Sequence, residues 1–241
     1  MSKAAPRITA AAIKRQLRAH ANPASVALVQ RFFKTAPGEY GEGDRFIGVK
    51  VPALRTVSRA CRGAQLDEVV KLLHSPIHEE RALALFLLVD AFERGDEATR
   101  KNIYGLYLAN TKFINNWDLV DCSARQIVGG WLRDRSKAPL TRLARSKSLW
   151  ERRTAMLATF DGIVRGDFSE AFRIADLLLD DDHDLIHKAV GWLLREIGKR
   201  DGAAERAYLA TRYKRMPRTM LRYAIEKFPE PERQKYLRGE I

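Results

Sequence analysis

Cysteine is nearly absent from this chain. Its 241 residues hold two, Cys61 and Cys122, far apart and each inside an apolar helical pattern. They offer no disulfide framework and no cysteine-based zinc motif. Buried free thiols in a reducing compartment are expected. Long apolar runs are also missing. The longest, ALALFLLV at 82–89, falls well short of the roughly 18 to 20 residues that cross a bilayer. No segment has the charged, apolar, small-residue order of a secretory signal, and the expected location is the bacterial cytoplasm or nucleoid. Acidic residues are absent before Glu39, whereas Lys3, Arg7, Lys14, Arg15, Arg18, Arg31 and Lys34 are basic. A transit peptide can have this composition; a solvated basic helix in an Ala- and Arg-rich protein is the simpler reading.

Strand signals are nearly absent, as are the H-E-x-x-H, G-x-S-x-G and P-loop patterns. Gly41 and Gly43 follow no strand and form no dinucleotide fingerprint. DDDHD at 180–184 reads as a loop and helix cap rather than a metal site. No metal and no cofactor are expected.

What the chain does have is basic charge and helical period. The net charge of +13 comes from 43 basic and 30 acidic residues, an imbalance that favours a polyanionic partner. Between Leu132 and Arg153, eight basic residues face only Asp134 and Glu151. A second excess runs from Lys199 to Arg222. Both read as an electrostatic footprint for phosphates.

Apolar residues recur at helical spacing from Ile8 almost to the end. ERALALFLLVDAFERG, DCSARQIVGGWLRD and KAVGWLLREIGKR each carry a wide apolar stripe opposite a charged face. Prolines and glycines punctuate about twelve to fourteen helices, and the longest irregular piece is 37–52. Arg81-Ala-Leu, Arg153-Thr-Ala, Lys188-Ala-Val and Arg222-Tyr-Ala align with gaps of 72, 35 and 34 residues, which leaves room for a further unit near 117. A helical pair every 35 residues or so predicts an all-α, HEAT-like solenoid, one domain over 1–241 with a basic concave face. Arg81, the 117–121 region, Arg153, Lys188 and Arg222 would line that face; the alternative is that they are ordinary solvent-facing first-turn residues.

INNWDLVDC at 114–122 is the densest chemistry. Asn115 or Asn116 is a good N-cap, which places Trp117 and Asp118 in the first turn and Asp121 one turn on. Trp117 and Asp121 then share a face, with Leu119 and Val120 turned toward the core. An acid near a helix N-terminus is held as the anion, and an anion beside an indole is a receptor for a cation. Asp118 reads as a dipole-compensating first-turn acid. A structural role for the pair is also open, with Asp121 bound to Arg125 and Trp117 as a packing anchor. Trp192 lies two repeats beyond Trp117, and Arg153 opens the repeat between them.

NNWDLVD, WERRTAML and LIHKAVGWLLRE, with YGEGDRFIGVKVPALR at 40–55, resemble the AlkD-type DNA alkylation repair glycosylases over nearly the whole chain. That resemblance implies a cleft formed by Trp117, Asp121 and Trp192, and a backbone-holding arginine at Arg153, with Arg152 its less favoured neighbour. It implies a monomer that acts on double-stranded DNA carrying cationic N3- or N7-alkylpurines, excising them without extruding the base. Some members carry a tandem tryptophan where this chain has Asn116-Trp117, and aromatics where it has Asp184-Leu185, which bears on substrate range. Tyr40, Asp44 and Phe46 are candidates to close the N-terminal end of the groove; Phe46 equally suits a core position. The alternative function is a non-catalytic HEAT-like nucleic-acid-binding protein.

Overall fold

The computed structural model describes residues 7–241. Lys3 of the acid-free N-terminal stretch lies outside them. Sixteen α-helices and three short 3-10 or π turns make up the described residues, with no strand. One isolated parallel bridge joins Arg45 and Ile77. The fold is the all-α, HEAT-like helical repeat that the periodicity predicts. No described helix is long and apolar enough to cross a membrane. The chain divides into two compact units, residues up to Ser123 and residues from Ala124.

Unit 1 contains α1 (Ala10–Arg18), α2 (Pro23–Gln30), α3 (Val51–Ala60), α4 (Leu66–Leu73), α5 (His78–Arg94), α6 (Glu97–Ala109) and α7 (Trp117–Asp121). Side-chain caps at Thr9, Asn22, Asp96 and Asn116 accept backbone N–H groups that the first turn leaves unpaired. Helix α5 is the core of the unit and packs on α3, α4, α6 and α7. Leu83, Leu85 and Leu88 are fully buried, and so are the charged residues of its first turns, His78, Glu79, Glu80 and Arg81. The charged face expected for this helix therefore points inward at its start. Buried charges need partners, and each has them. Glu80 pairs with Lys14 at 2.9 Å and Arg18 at 3.0 Å. Glu79 accepts the backbone N–H groups of Ile47, Gly48 and Val49 over 2.8–3.3 Å, which ties the irregular segment before α3 onto α5. Gly48 lies there at φ +76°, where a Cβ would stand 2.2 Å from the Asn22 carbonyl oxygen; only glycine fits both constraints.

Unit 2 opens with a π turn, Arg125–Gly129, that runs into α8 (Gly130–Leu132). It continues with α9 (Ala138–Ala144), α10 (Leu149–Ala158), α11 (Phe160–Val164), α12 (Ser169–Leu177), α13 (Asp184–Gly198), α14 (Gly202–Ala210), α15 (Arg218–Ala224) and α16 (Glu230–Arg238). Helix α13 is its core, packed on α10, α14 and α15. A Cβ at Gly191 would stand 2.4 Å from the Met220 carbonyl oxygen, so the α13–α15 approach depends on the missing side chain. DDDHD resolves as the expected loop and cap: the His183 ring nitrogen accepts the Leu185 N–H at 3.1 Å.

The repeat register survives in three dimensions. Arg153, Lys188 and Arg222 each hold the fifth position of α10, α13 and α15, Arg81 the fourth of α5, and α7 begins at 117. One expected helix is broken. WDLVDCSARQIVGGWL folds as α7, a turn at Cys122–Ser123, the π turn and α8. The buried Ser123 hydroxyl donates to the Leu119 carbonyl at 2.6 Å and stands 3.2 Å from the Tyr107 hydroxyl. A serine that bonds back to i−4 competes with the helical ladder and bends the chain.

Candidate active site

Helix α7 is five residues long, too short to be stable by itself. Its surroundings hold it. Asn116 is fully buried and extended at φ −151°, ψ 155°. Its side-chain oxygen accepts the Trp117 N–H at 2.8 Å, and its amide donates to Asp44 at 3.1 Å. Of the two candidate amides, Asn115 and Asn116, the cap is Asn116. Leu119 and Val120 are fully buried, as the helical register predicts.

Asp121 stands one turn after Trp117, as the spacing predicts, but the helix ends there. It is the last residue of α7, at the end where the helix dipole opposes an anion rather than favouring it. The N-terminal acid is Asp118. One of its oxygens accepts the Leu119 N–H at 2.9 Å, and the other lies 2.7 Å from His78 Nε2. Asp118 thus does more than compensate the dipole.

His78 is the centre of a buried network that the sequence reading missed. Its ring is 3% exposed; Nδ1 faces Asp44 at 3.1 Å and Nε2 faces Asp118 at 2.7 Å. Asp44, with a side chain 4% exposed, also takes the Arg81 guanidinium at 2.5 Å. Burial pulls the His78 pKa down, but the hydrogen bonds and charges of Asp118 and Asp44 outweigh it and raise the value from 6.5 to about 9. For Asp44, burial pushes upward; the His78 hydrogen bond, the Arg81 charge and Asn116 overcome it and hold the carboxyl below its ordinary value. Cys122, beside this network, is pushed up by burial and by Asp118 and Asp121, so it is no thiolate nucleophile.

Aromatic rings cover the network. Phe46 stacks on His78 with centroids 4.9 Å apart, Phe33 lies 4.8 Å from His78 and 5.2 Å from Phe46, and Phe33 stacks on Trp117 at 5.4 Å. Trp117 itself is half-buried. Of the residues expected near the N-terminal end of the groove, Asp44 and Phe46 therefore join α5 and α7 from within unit 1.

In unit 2, Trp192 is half-buried and meets the edge of Phe160 at 5.8 Å. Arg125 lies over the same Phe160 ring at 5.0 Å.

The expected row of solvent-facing cations is not uniform. Arg81 is 3% exposed and turned into unit 1, where it also donates to the Ser75 carbonyl at 3.1 Å. Arg153 is 4% exposed and donates to the Leu185 carbonyl at 2.5 Å. Arg152 pairs with Asp181 at 2.6 Å and donates to the carbonyls of Ser146 and Lys147. Lys188 pairs with Asp184 at 2.7 Å, and Arg222 is exposed. Elsewhere in the basic clusters, Arg133 is bound to Asp161, Arg206 to Glu232, Arg212 to Asp176 and Arg215 to Asp180. Arg142, Arg145, Lys147, Lys214 and Arg222 carry no ion pair among the described residues, so part of the basic excess stays available to a polyanion. No group of three or more His, Cys, Asp or Glu side chains among the described residues is arranged to hold a metal ion.

Comparison with known proteins agrees with this architecture. The sequence model of the family described as DNA alkylation repair enzyme matches residues 13–228. Among solved structures, a predicted DNA alkylation repair enzyme from Enterococcus faecalis superposes with a TM-score of 0.66 at 15% identity, over 88% of this chain and 98% of that one. No curated protein matches the sequence significantly. The structural likeness supports the helical fold, and the family match over most of the chain carries the assignment: this protein belongs to the DNA alkylation repair enzyme family.

Proposed function

We propose that the protein is a monofunctional DNA glycosylase that hydrolyses the N-glycosidic bond of cationic N3- or N7-alkylated purines in duplex DNA. The observation that carries this reading is the pair Trp117 and Asp121 on one short, externally anchored helix in a member of a DNA alkylation repair family. Alkylation at N3 or N7 leaves the purine positively charged. As the bond to C1′ breaks, the base departs as a neutral molecule and the deoxyribose takes on oxocarbenium character. A fixed carboxylate opposes that developing charge and orients the attacking water. Water oxygen bonds to C1′, its proton is released, and an abasic site remains.

Asp121 is the carboxylate in this scheme. Trp117 offers a ring face to the cationic sugar and lesion; the resemblance gives Trp192 the same part. The resemblance gives Arg153 the phosphate at the lesion; buried against the Leu185 carbonyl, its side chain must turn outward to reach one. Arg222 and Lys188 add charge toward the duplex. Arg81 and Arg152, locked to Asp44 and Asp181, act by holding the segments around them. Because the base already leaves well, less acid catalysis is needed; that the nucleotide is not extruded into a pocket, in contrast to the common base-flipping route, is what the resemblance implies.

Base release from methylated duplex DNA by wild type and by Asp121→Asn tests the proposal. Wild type is expected to release 7-methylguanine or 3-methyladenine well above the spontaneous rate. The variant should lose at least about 100-fold while it still binds undamaged duplex. If wild type gives only the spontaneous rate with methylpurines and with a bulky cationic adduct, the protein is a non-catalytic nucleic-acid binder instead.

A further inference from the structure

We infer that His78 is a positioning residue for this reaction: clamped as a cation between Asp44 and Asp118, it sets the orientation of α7 and with it Trp117 and Asp121. The catalytic consequence rests on the glycosylase reading above; the clamp itself does not.

The charge state follows from hydrogen-bond chemistry. A carboxylate only accepts hydrogen bonds, and neutral imidazole has a single N–H. His78 faces Asp44 with Nδ1 at 3.1 Å and Asp118 with Nε2 at 2.7 Å. With both carboxyls ionised, both contacts are hydrogen bonds only if both nitrogens carry protons. The charged groups that face the ring are Asp44 from the loop before α3, Asp118 from α7, and, through Asp44, Arg81 from α5. Two anions and two cations balance. Without the His78 charge, two carboxylates would share one buried cation, an arrangement that forces a carboxylate to move or take up a proton.

The reach of the clamp follows from the size of α7. A five-residue helix has no stability of its own, so its direction is set by what grips its ends. Two routes run from Asp44 into its first turn. Asn116 links Asp44 to the Trp117 N–H. His78 links Asp44 to Asp118, whose second oxygen holds the Leu119 N–H. The aromatic layer adds a third grip, because Phe33 touches both the His78 ring and the Trp117 indole. Trp117 and Asp121 open and close this one helix. A tilt of α7 moves both groups, and a misplacement of about 1 Å at a reacting centre can lower the rate roughly 100-fold.

The test compares full-length wild type, His78→Gln and Asp118→Asn. Nitrogen-15 spectra of the wild-type imidazoles at pH 7 read the charge state, and both His78 nitrogens should be protonated. The indole N–H resonance of Trp117, assigned by its loss in Trp117→Phe, reads the orientation of α7. It should shift in both variants while those of Trp150 and Trp192 stay in place. Single-turnover release of 7-methylguanine should fall about 10- to 100-fold, with the Kd for undamaged duplex within about twofold of wild type. If His78→Gln does not fold, Asp118→Asn, which keeps an acceptor for Nε2–H, carries the comparison. A neutral His78 at pH 7, or folded variants with an unmoved Trp117 resonance and a wild-type rate, would overturn the inference. If wild type releases no base, the glycosylase reading fails, and the imidazole and indole spectra still decide whether the clamp sets α7.

Discussion

Phe33 stacks on Trp117 with ring centroids 5.4 Å apart and planes 29° from parallel, so the protein itself occupies one face of that indole. A cationic sugar or base that uses Trp117 therefore has the opposite face or the ring edge. Phe33→Ala should lower stability, with the aromatic contact alone contributing about 0.5–1.5 kcal/mol, and should slow base release by loosening Trp117. Phe33→Leu, which keeps apolar bulk, should be milder on both counts. Urea unfolding and single-turnover release on the same preparations check this.

The His78 network predicts a pH signature in stability. Its folded pKa, about 9, lies above the ordinary 6.5. A base with a raised folded pKa contributes stability that is fully present below pH 6.5 and is lost as pH rises through 9. The loss is bounded at about 1.4 kcal/mol per pH unit across that interval. Wild type should therefore lose stability between pH 6.5 and 9, and His78→Gln should lose less. Denaturant midpoints at pH 6, 7, 8 and 9.5 measure the difference.

Glu205 predicts a substitution that stabilises. It is 2% exposed, one of its oxygens has no hydrogen-bond partner, and a Cβ at Gly198 would collide with the other. Burial raises its pKa from 4.5 to about 8, against the opposing pull of Arg206. For an acid shifted upward, the folded state holds a proton that the unfolded chain has released, so stability falls as pH rises from 4.5 to 8. Glu205→Gln should raise the Tm at pH 7.5 by removing about 1–3 kcal/mol of that penalty, with little gain at pH 4.5. Calorimetry at the two pH values separates this from a general packing effect.

Two arginines of the repeat register should behave differently. Arg153 is buried and donates to the Leu185 carbonyl. Its loss removes that charge-assisted hydrogen bond and the packing of a buried side chain, so Arg153→Ala should cost about 1–3 kcal/mol of stability besides any effect on DNA. Arg222 is exposed without an ion pair among the described residues. Arg222→Ala should change stability by less than about 0.5 kcal/mol. If Arg222 meets a phosphate, the salt slope of duplex binding should fall by about one. Thermal melts and binding from low to moderate salt check both.

Much of this molecule was legible in one dimension because the forces behind it are local or periodic. Helical apolar spacing predicts the all-α class. Caps such as Asn116 and His183 mark helix starts because they satisfy the N–H groups of their own next turn. The spacing of Arg153, Lys188 and Arg222 predicts their common register in α10, α13 and α15, and the NNWD stretch marks a helix start at 117 but not how soon that helix ends.

What the tertiary structure decided is which charges go inside and where a helix stops. His78 reaches Asp44 and Asp118 across 34 and 40 residues of chain, and no local period reports such a meeting. Arg81 and Arg153 hold matching places in the sequence repeat, yet one closes a buried ion pair and the other grips a carbonyl. Asp121 became a C-terminal rather than an N-terminal acid because the Ser123 hydroxyl bonds back to Leu119 beside Tyr107. Local sequence sets propensity and pattern. The partner that makes it affordable to bury a charge, or to end a helix, arrives from a distant part of the chain only when the fold brings it there.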